Sequence, residues 1–596
     1  MPNDPSHAVN PLEHAANALD RGAFDAAEQG FRVILASDPQ SPAALLLLGE
    51  TLRRKGDLAQ SEQVLRQALD YNEGSTLPHS FLHHTLLQAG RFEDALVVIE
   101  QAVALEPGNA DLVYQLAVTL DGLSKHSDAL KKARHCLTLR PGWLAPTSLE
   151  ASSLRVIGRG EQAIDLLKEM IELEPENKSL WGNLVLSLHG DPRADLSEIA
   201  RATRQAWKLN SDSEIAKVIS AATPERKLKI AYISGDFREH PVAYFLDGVL
   251  TAHDRSAFHV TLVPTFSGAD KRTAVLRQKA DAWHPIFNLS DESAAQQLRE
   301  MQIDIAIDLA GWTRGHRLGV FHRRIAPIQA TWIGYSGTTG LDEMDYIICD
   351  TTVLPVDHEQ HYSETPLRLP DCYLSMMSPR SFMKSFQPDI GPRPAPDPDR
   401  IVFGSFNTLA KLTNELLDTW ARILSNVDGS ILMLRARQLN DAGVQADVRA
   451  RFDQRGIPSD RLRLEGNNSR KGLLAAYRDV DIALDPFPYG GTTTTFETLC
   501  MGVPVISLAS DRWVGLVGAS VLKTIGLAEL IAVSRDDYVA KAIELANDIH
   551  KLGDLHNKLA ERVETSPACD TRTFTANLES SLRHIWRQWC DHQTGA

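Results

Sequence analysis

The fold class is decided by residues 484–508, which read LDPFPYGGTTTTFETLCMGVPVISL. An apolar β-type run ends at Asp485, and a turn with proline and two glycines follows it. A threonine-rich helical run then leads into a second β-type run. This order of strand, turn, helix and strand predicts one unit of a parallel α/β sheet. Gly490 and Gly491 allow the backbone to approach a ligand closely at that turn.

Four threonines, Thr492 to Thr495, open the predicted helix. Their hydroxyls and the free N–H groups of the first turn converge on the positive end of the helix dipole, which favours a phosphate or another anion. An ordinary threonine N-cap is the alternative, but it needs only one threonine. Glu497 lies one turn further, where a carboxylate can accept hydrogen bonds from ribose hydroxyls. The candidate donor-binding residues here are Gly491, Thr492, Thr493, Thr494 and Glu497.

Strand-like and helical runs alternate over most of the chain around this unit. The β-type runs include KLKIAYISGDF, DIAIDLAG and DYIICD before residue 390, and RIVFGSFN and SILMLRA after it. A Pro-rich stretch at 391–400 between the two series is typical of a linker. We therefore predict two doubly wound lobes, at 222–390 and at 400–591 with its closing helices. Ligands are expected at the carboxyl ends of the strands, in the cleft between the lobes.

Polar candidates follow the first strand of each predicted lobe. In SGDFREHPVAYF (234–245), His240 is placed to bind a sugar or to accept a proton, although a histidine before proline is also common as a structural residue. In VFGSFNTLAKLT (402–413), the strand is followed by Asn407, Thr408 and Lys411. A lysine there can neutralise a phosphate leaving group, although a surface lysine in a loop is the alternative.

The N-terminal third repeats with a period of 34 residues. The repeated positions are prolines (Pro107, Pro141, Pro175), alanines (Ala27, Ala95, Ala129, Ala163, with Ser61 in the open slot) and glycines (Gly22, Gly56, Gly90, Gly158, with Ser124 substituting). This pattern predicts helix–turn–helix units with glycine at the turn, alanine at the helix crossing and proline after the second helix. We expect about five repeats over 8–177 and a closing helix pair to 215. Stacked units of this kind form a superhelix with a concave surface for protein binding, and a simple spacer is the alternative.

Composition excludes several classes of protein. The chain has 596 residues, 43% hydrophobic residues and a net charge of −15, which disfavours disorder and nucleic-acid binding. Its six cysteines contain no CxxC pair and match no zinc or disulfide framework. The first residues show no secretory signal, and no long uncharged apolar run predicts a membrane span. We expect a cytoplasmic globular protein with no metal site.

Several long segments together resemble one family of glycosyltransferases, which contains the O-GlcNAc transferases and the plant SPINDLY proteins. The matching segments, in family order, are DFREHPVAYF, APIQATWIGYSGTTGLDEMDYIICD, RLPDCYL, FNTLAK and DPFPYGGTTTTFETLCMGVPV. The N-terminal array similarly resembles tetratricopeptide repeats. The resemblance implies a GT-B fold and inverting, metal-independent transfer from a nucleotide sugar to Ser or Thr of a protein, with no further cofactor. It also implies roles: His240 near sugar and acceptor, Lys411 and Thr492–Thr494 on the phosphates, and Glu497 on the ribose.

Two positions depart from the family pattern. Leu473 stands where the family usually has histidine, and Thr408 stands where it usually has Gln or Asn. We therefore expect UDP-GlcNAc to be a poor donor. The two-part build also resembles that of bacterial flagellin glycosyltransferases, which implies a flagellin acceptor and a CMP-linked nonulosonic acid donor. The alternative function is a repeat adaptor whose transferase half has lost turnover.

Overall fold

The computed structural model describes residues 10–72, 74–209, 215–216, 218, 220–386, 396–397, 400–466 and 469–594. The chain divides into two compact units, Met1–Ile157 and Gly158–Ala596. Most of the predicted linker at 391–400 lies outside the described residues. No helix in the described ranges is both long and apolar enough to cross a membrane.

The first unit is helical throughout its described part. Its helices are α1 (Pro11–Asp20), α2 (Phe24–Ser37), α3 (Pro42–Lys55), α4 (Leu58–Asp70), α5 (Leu77–Gln88), α6 (Phe92–Leu105), α7 (Ala110–Gly122), α8 (His126–Leu139) and α9 (Leu144–Val156). Gly22, Gly56 and Gly90 adopt positive φ at the turns, and Ser124 takes the same left-handed conformation at φ 60°. The repeated alanines and Ser61 are fully buried where helices cross. The predicted repeat pattern is therefore confirmed at the level of the backbone.

The second unit begins with three more helices and then forms a seven-stranded sheet. The helices are α10 (Gly160–Leu173), α11 (Lys178–Leu188) and α12 (Leu196–Lys208). The strands are β1 (Leu228–Ser234), β2 (Phe258–Pro264), β3 (Ala282–Trp283), β4 (Ile305–Asp308), β5 (Ile328–Thr331), β6 (Tyr346–Cys349) and β7 (Thr365–Arg368). Helices α13 (Pro241–Ala252), α14 (Lys271–Gln278), α15 (Asp291–Glu300), α16 (Leu318–His322) and α17 (Pro379–Phe386) connect or follow them. All paired strands run parallel, in the order β3-β2-β1-β4-β5-β6-β7.

A six-stranded parallel sheet follows, in the order β10-β9-β8-β11-β12-β13. Its strands are β8 (Val402–Ser405), β9 (Ile431–Arg435), β10 (Leu462–Glu465), β11 (Ile482–Leu484), β12 (Val505–Leu508) and β13 (Ile531–Ala532). The helices of this part are α18 (Asn414–Asn426), α19 (Ala442–Asp453), α20 (Arg470–Ala476), α21 (Thr493–Cys500), α22 (Trp513–Thr524), α23 (Arg535–Asn547), α24 (Ile549–Glu564) and α25 (Thr571–Thr594).

Each sheet has a point where the chain reverses its direction of strand addition. In the first sheet the reversal lies between β1 and β4, and in the second it lies between β8 and β11. The loops after such strands diverge and leave a crevice at the carboxyl edge, where ligands bind in doubly wound folds. His240 follows β1, Lys411 follows β8, and the glycine–threonine turn follows β11. The topology thus places the principal sequence candidates beside the two crevices.

Helix α11 and the loop after it are held by a buried arginine that follows β12. Arg512, which is 2% exposed, donates to the carbonyl oxygens of Leu188, Asp191 and Ala194 at 3.3, 3.0 and 2.6 Å. The last helix, α25, packs instead beside the first sheet, where Glu579 contacts His253 Nδ1 at 2.8 Å. Three carbonyl acceptors around one buried guanidinium indicate that α11 and the following loop are an integral part of this unit.

Candidate active site

Asp485 organises the glycine turn after β11. Its Oδ1 accepts from the Gly491 N–H at 2.7 Å and from the Thr495 hydroxyl at 3.2 Å, and its Oδ2 accepts from the Ser507 hydroxyl at 2.8 Å. Burial raises the pKa of Asp485, and these donors oppose that shift. A Cβ placed on Gly491 would lie 2.5 Å from Thr495 Oγ1, so the turn requires glycine there for lack of space. The fourth threonine of the run is therefore structural.

The first three threonines are placed differently. Thr492 is the N-cap residue of α21 but makes no side-chain cap hydrogen bond, and Thr492, Thr493 and Thr494 are partly exposed. Within the described part of the chain this N-cap side chain thus leaves the first-turn N–H groups of the helix uncapped, and such groups favour an anion. This geometry fits the phosphate site expected at this turn.

Lys411 lies directly beside the same turn. Its ammonium donates to the Gly490 carbonyl oxygen at 2.6 Å and to Asn407 Oδ1 at 3.0 Å, and it stands 4.6 Å from the ring centroid of Tyr489. Burial lowers the pKa of Lys411 to about 8, against the raising effect of Asp485. The lysine is thus a fixed, partly desolvated cation rather than a mobile surface side chain, and Asn407 orients it.

Thr408 does not join this group. It is exposed, and its hydroxyl accepts a hydrogen bond from Gln438 Nε2 at 3.1 Å. Its contact in this structure is therefore with the loop after β9, and its predicted role at the donor stays a prediction.

His240 is the N-cap residue of α13. Its Nδ1 lies 3.4 Å from the Val242 N–H and 3.5 Å from Asp236 Oδ2. Burial lowers the pKa of His240, Asp236 opposes the shift, and Arg238 adds to it. The imidazole is therefore neutral near pH 7, and it combines a structural capping contact with a position at the cleft.

A single cavity of about 150 Å³ brings the two sheets' candidates together. His240 from the first sheet and Thr492 and Thr493 from the second line it, together with Tyr489, the residue against which Lys411 stands. Thr313, which follows β4, also lines the cavity. A neutral imidazole, the threonine-rich start of α21 and the tyrosine that contacts Lys411 thus line one space.

Sequence reasoning missed two residues of this cavity, His189 and Tyr335. His189 comes from the end of α11, and its Nε2 lies 2.7 Å from the Tyr335 hydroxyl. Burial lowers the pKa of His189 to about 3, so this imidazole is neutral. Its Nδ1 is buried and has no hydrogen-bond partner among the residues that the structure describes. Tyr335 lies in TWIGYSGTTG, so the motif pointed to the site, but no pattern in the repeat region singled out His189.

Glu497 is buried and forms an ion pair with Arg470, whose guanidinium also lies 5.1 Å from the Tyr244 ring centroid. Burial raises the pKa of Glu497, and Arg470 opposes this. Its predicted contact with ribose would therefore be made beside an arginine that sequence reasoning did not include. Leu473 is half-buried in α20, three residues after Arg470. Within the described ranges, no group of three His, Cys, Asp or Glu residues is placed to hold a metal ion.

Comparison with known families decides the assignment. The model of glycosyl transferase family 41 matches residues 211–379 and 394–578, which is more than half of the chain. The chain belongs to glycosyl transferase family 41. A tetratricopeptide-repeat model matches residues 18–82 and 86–131 in the first unit. The family resemblance inferred from the quoted motifs is thus confirmed.

Family 41 relatives and one solved structure cover much of the chain. A probable UDP-N-acetylglucosamine–peptide N-acetylglucosaminyltransferase SPINDLY of Petunia hybrida is 35% identical over 71% of this chain, and the Arabidopsis thaliana SPINDLY protein is 37% identical over 62%. The chain spans 45% and 40% of the length of these two relatives. A mutant of the Thermobaculum terrenum O-GlcNAc transferase is 30% identical and superimposes over 94% of this chain and 99% of its own with a TM-score of 0.73. These matches confirm the fold class, a repeat superhelix followed by two Rossmann-like lobes in the GT-B arrangement.

Proposed function

We propose that this chain is an inverting, metal-independent protein O-glycosyltransferase that moves a sugar from a nucleotide-sugar donor to a Ser or Thr hydroxyl of a protein. One observation carries the proposal. His240 lines the same cavity as Thr492 and Thr493, and Lys411 contacts the ring of Tyr489, which also lines that cavity. Membership in family 41 supports it. The tetratricopeptide repeats of the first unit support selection of the protein acceptor.

The donor phosphates would lie between Lys411 and the start of α21. As the bond between the anomeric carbon and the phosphate oxygen breaks, negative charge develops on the leaving phosphate. A fixed ammonium and uncapped helix N–H groups stabilise that charge without reorganisation.

The acceptor hydroxyl attacks the anomeric carbon from the face opposite the phosphate, and its proton passes to a base. His240 is the candidate, since its imidazole is neutral at pH 7. To accept that proton at Nε2, the imidazole must carry its own proton on Nδ1, so Nδ1 gives up the capping contact with the Val242 N–H and donates to Asp236 Oδ2 instead. Asp236 then stabilises the imidazolium that forms.

The relatives' names and two residues of this chain bear on which nucleotide sugar is the donor. The names of the SPINDLY relatives specify UDP-N-acetylglucosamine, and none of those relatives is described as acting on flagellin or using a CMP-linked sugar. Two residues argue against N-acetylglucosamine as the sugar: Leu473 offers no polar group, and the Thr408 hydroxyl is engaged by Gln438. We propose a UDP-linked sugar as the donor, with the CMP-linked nonulosonic acid and flagellin as the competing assignment.

Isothermal titration with UDP, GDP and CMP tests the donor, and mass spectrometry of Ser/Thr peptides incubated with the matching nucleotide sugar tests transfer. We expect UDP to bind most tightly and the peptide to gain the mass of one sugar. Lys411→Ala should reduce kcat by about 100-fold or more, while Lys558→Ala, an exposed lysine on α24, should match the wild type. Nucleotide binding without transfer to any peptide or protein acceptor would favour the inactive adaptor, and tighter CMP binding would favour the nonulosonate assignment.

A further inference from the structure

The first sheet carries a second cavity that the proposed reaction does not use. Its volume is about 280 Å³. The last residues of three adjacent parallel strands line it: Ser234 of β1, Pro264 of β2 and Trp283 of β3. It therefore opens at the carboxyl edge of the sheet, which is the edge where doubly wound folds bind their ligands.

Aromatic side chains form its walls. These are Phe237, Phe266, Trp283 and Phe287. Phe237 is 4% exposed and packs on Trp283, with ring centroids 6.0 Å apart, whereas Phe266 and Phe287 are 41% and 38% exposed at the mouth. Large aromatic side chains left open around a concavity are characteristic of a recognition site rather than of a closed core.

Two arginines lie over these rings, and one of them, Arg277, lines the cavity. Arg238 lies 4.7 Å from the Phe266 ring centroid, and Arg277 lies 5.9 Å from that of Trp283. Arg238 also contacts Asp236 at 3.4 Å, whereas Arg277 forms no ion pair within the part of the chain that the structure describes. Arg277 is thus available to an incoming carboxylate. Aromatic residues and arginine together are the composition of protein-binding hot spots.

The chemistry of the lining argues against a nucleotide. Burial tends to raise the pKa of Asp270, but hydrogen bonds from the N–H groups of Glu239 and Thr273 hold it below its usual value. Asp270 is therefore anionic, and the charged residues of the lining are this aspartate and Arg277, rather than the cluster of cations that the phosphates of a nucleotide favour. The residues suited to phosphate, Lys411 and the start of α21, belong to the other sheet.

One short loop contributes residues to the lining of this cavity and to that of the candidate active site. The segment 235–240 supplies Gly235 and Phe237 to the aromatic cavity and ends at His240. A polypeptide whose hydroxyl residue reaches His240 passes within a few residues of this cavity. Resting on the proposed function, we infer that the cavity binds an aromatic side chain of the acceptor polypeptide near the modified Ser or Thr, with a neighbouring acidic residue on Arg277.

The test measures peptide binding rather than turnover. The full-length protein, saturated with UDP, is incubated with an equimolar synthetic library of peptides that carry one central Ser among randomised positions, and the bound peptides are sequenced. We expect enrichment of Phe, Tyr or Trp at one fixed distance from the Ser, with Asp or Glu beside it. Phe266→Ala should reduce the aromatic enrichment by about tenfold, and Arg277→Ala should remove the acidic preference only.

Two matched variants serve as controls. Val275→Ala removes an equally exposed apolar side chain of α14 that does not line the cavity, and Lys271→Ala removes a cation from the same helix. Both should retain the wild-type selection. An aromatic preference that survives Phe266→Ala, or a bound pool with no aromatic preference, would overturn the inference. Failure of the proposed transferase would show separately, as an absence of sugar transfer by a protein that still selects these peptides.

Discussion

At the scale of single residues, the most informative group is Lys411. Its ammonium makes two hydrogen bonds and stands against an aromatic ring, yet it has no carboxylate within ion-pair distance among the described residues. A desolvated ammonium without a close counter-ion is poised for an anionic ligand, since the ligand supplies the missing charge. A lowered pKa of Lys411 in the free protein is therefore what the proposed phosphate site predicts.

This environment predicts a bell-shaped dependence of kcat/KM on pH. Lys411 carries its charge below a pKa of about 8 and loses it above, so activity should fall on the alkaline side through that value. His240 must be neutral, and its pKa lies below the ordinary 6.5, so the acid limb should lie below that pH. In Lys411→Arg the guanidinium stays charged, so the alkaline limb should move up by more than about one pH unit, although the rate falls. An alkaline limb unchanged by this substitution would assign it to another group.

At the scale of elements, the sequence predicts the turns and helices that depend on neighbouring residues. Ser124 was placed at a turn because it occupies a glycine slot, and the chain does adopt φ 60° there. The phosphate turn followed from two glycines and a run of threonines between two strands. The sequence does not reveal His189 as a site residue, because its hydrogen-bond partner Tyr335 is 146 residues away. Arg470 was missed for the same reason, since its partner Glu497 lies on the following helix.

The turn between β11 and α21 gives a prediction at this scale. In Gly491→Ala the new methyl group would lie 2.5 Å from Thr495 Oγ1 and 3.0 Å from Asp485 Oδ1, so the turn must move. A shift of about 1 Å in a positioning element costs on the order of 100-fold in rate, and UDP affinity measured by titration should fall as well. Gly553→Ala is the matched control, because no heavy atom of the described residues lies within 4 Å of its added carbon in α24. Equal UDP affinity in both variants would show that this turn does not hold the nucleotide.

At the scale of the whole molecule, the module boundary predicted from the sequence and the start of the second compact unit fall at different residues. The 34-residue period continues through Pro175, so the repeats were expected to form one domain to about residue 215. In the structure the compact unit that contains both sheets begins at Gly158. The repeat period reflects how neighbouring helices pack. The boundary of a unit depends instead on contacts between residues far apart in sequence, such as those of Arg512 with Leu188 and Ala194. No pattern within a repeat encodes those contacts.

Two truncated chains, beginning at residues 158 and 216, test where the second unit begins. A chain of residues 158–596 keeps the three carbonyl acceptors of Arg512 and the His189–Tyr335 contact, so it should unfold cooperatively and bind UDP as the full-length protein does. A chain of residues 216–596 loses both, and each hydrogen bond to a buried charged group contributes about 1.5–3 kcal/mol. It should therefore show a markedly lower Tm and weakened UDP binding, because the cavity loses the wall that α11 supplies.

Thermal unfolding and UDP titration of the two chains, measured side by side, decide between the boundaries. The 158–596 chain also serves as the control for loss of the repeats themselves, since it lacks the first unit but keeps the cavity complete. Transfer to short Ser/Thr peptides should survive in it, while transfer to a protein acceptor selected by the repeats should fall. Equal stability and equal UDP affinity of the 216–596 chain would restore the boundary near residue 215 and would exclude His189 from the candidate site.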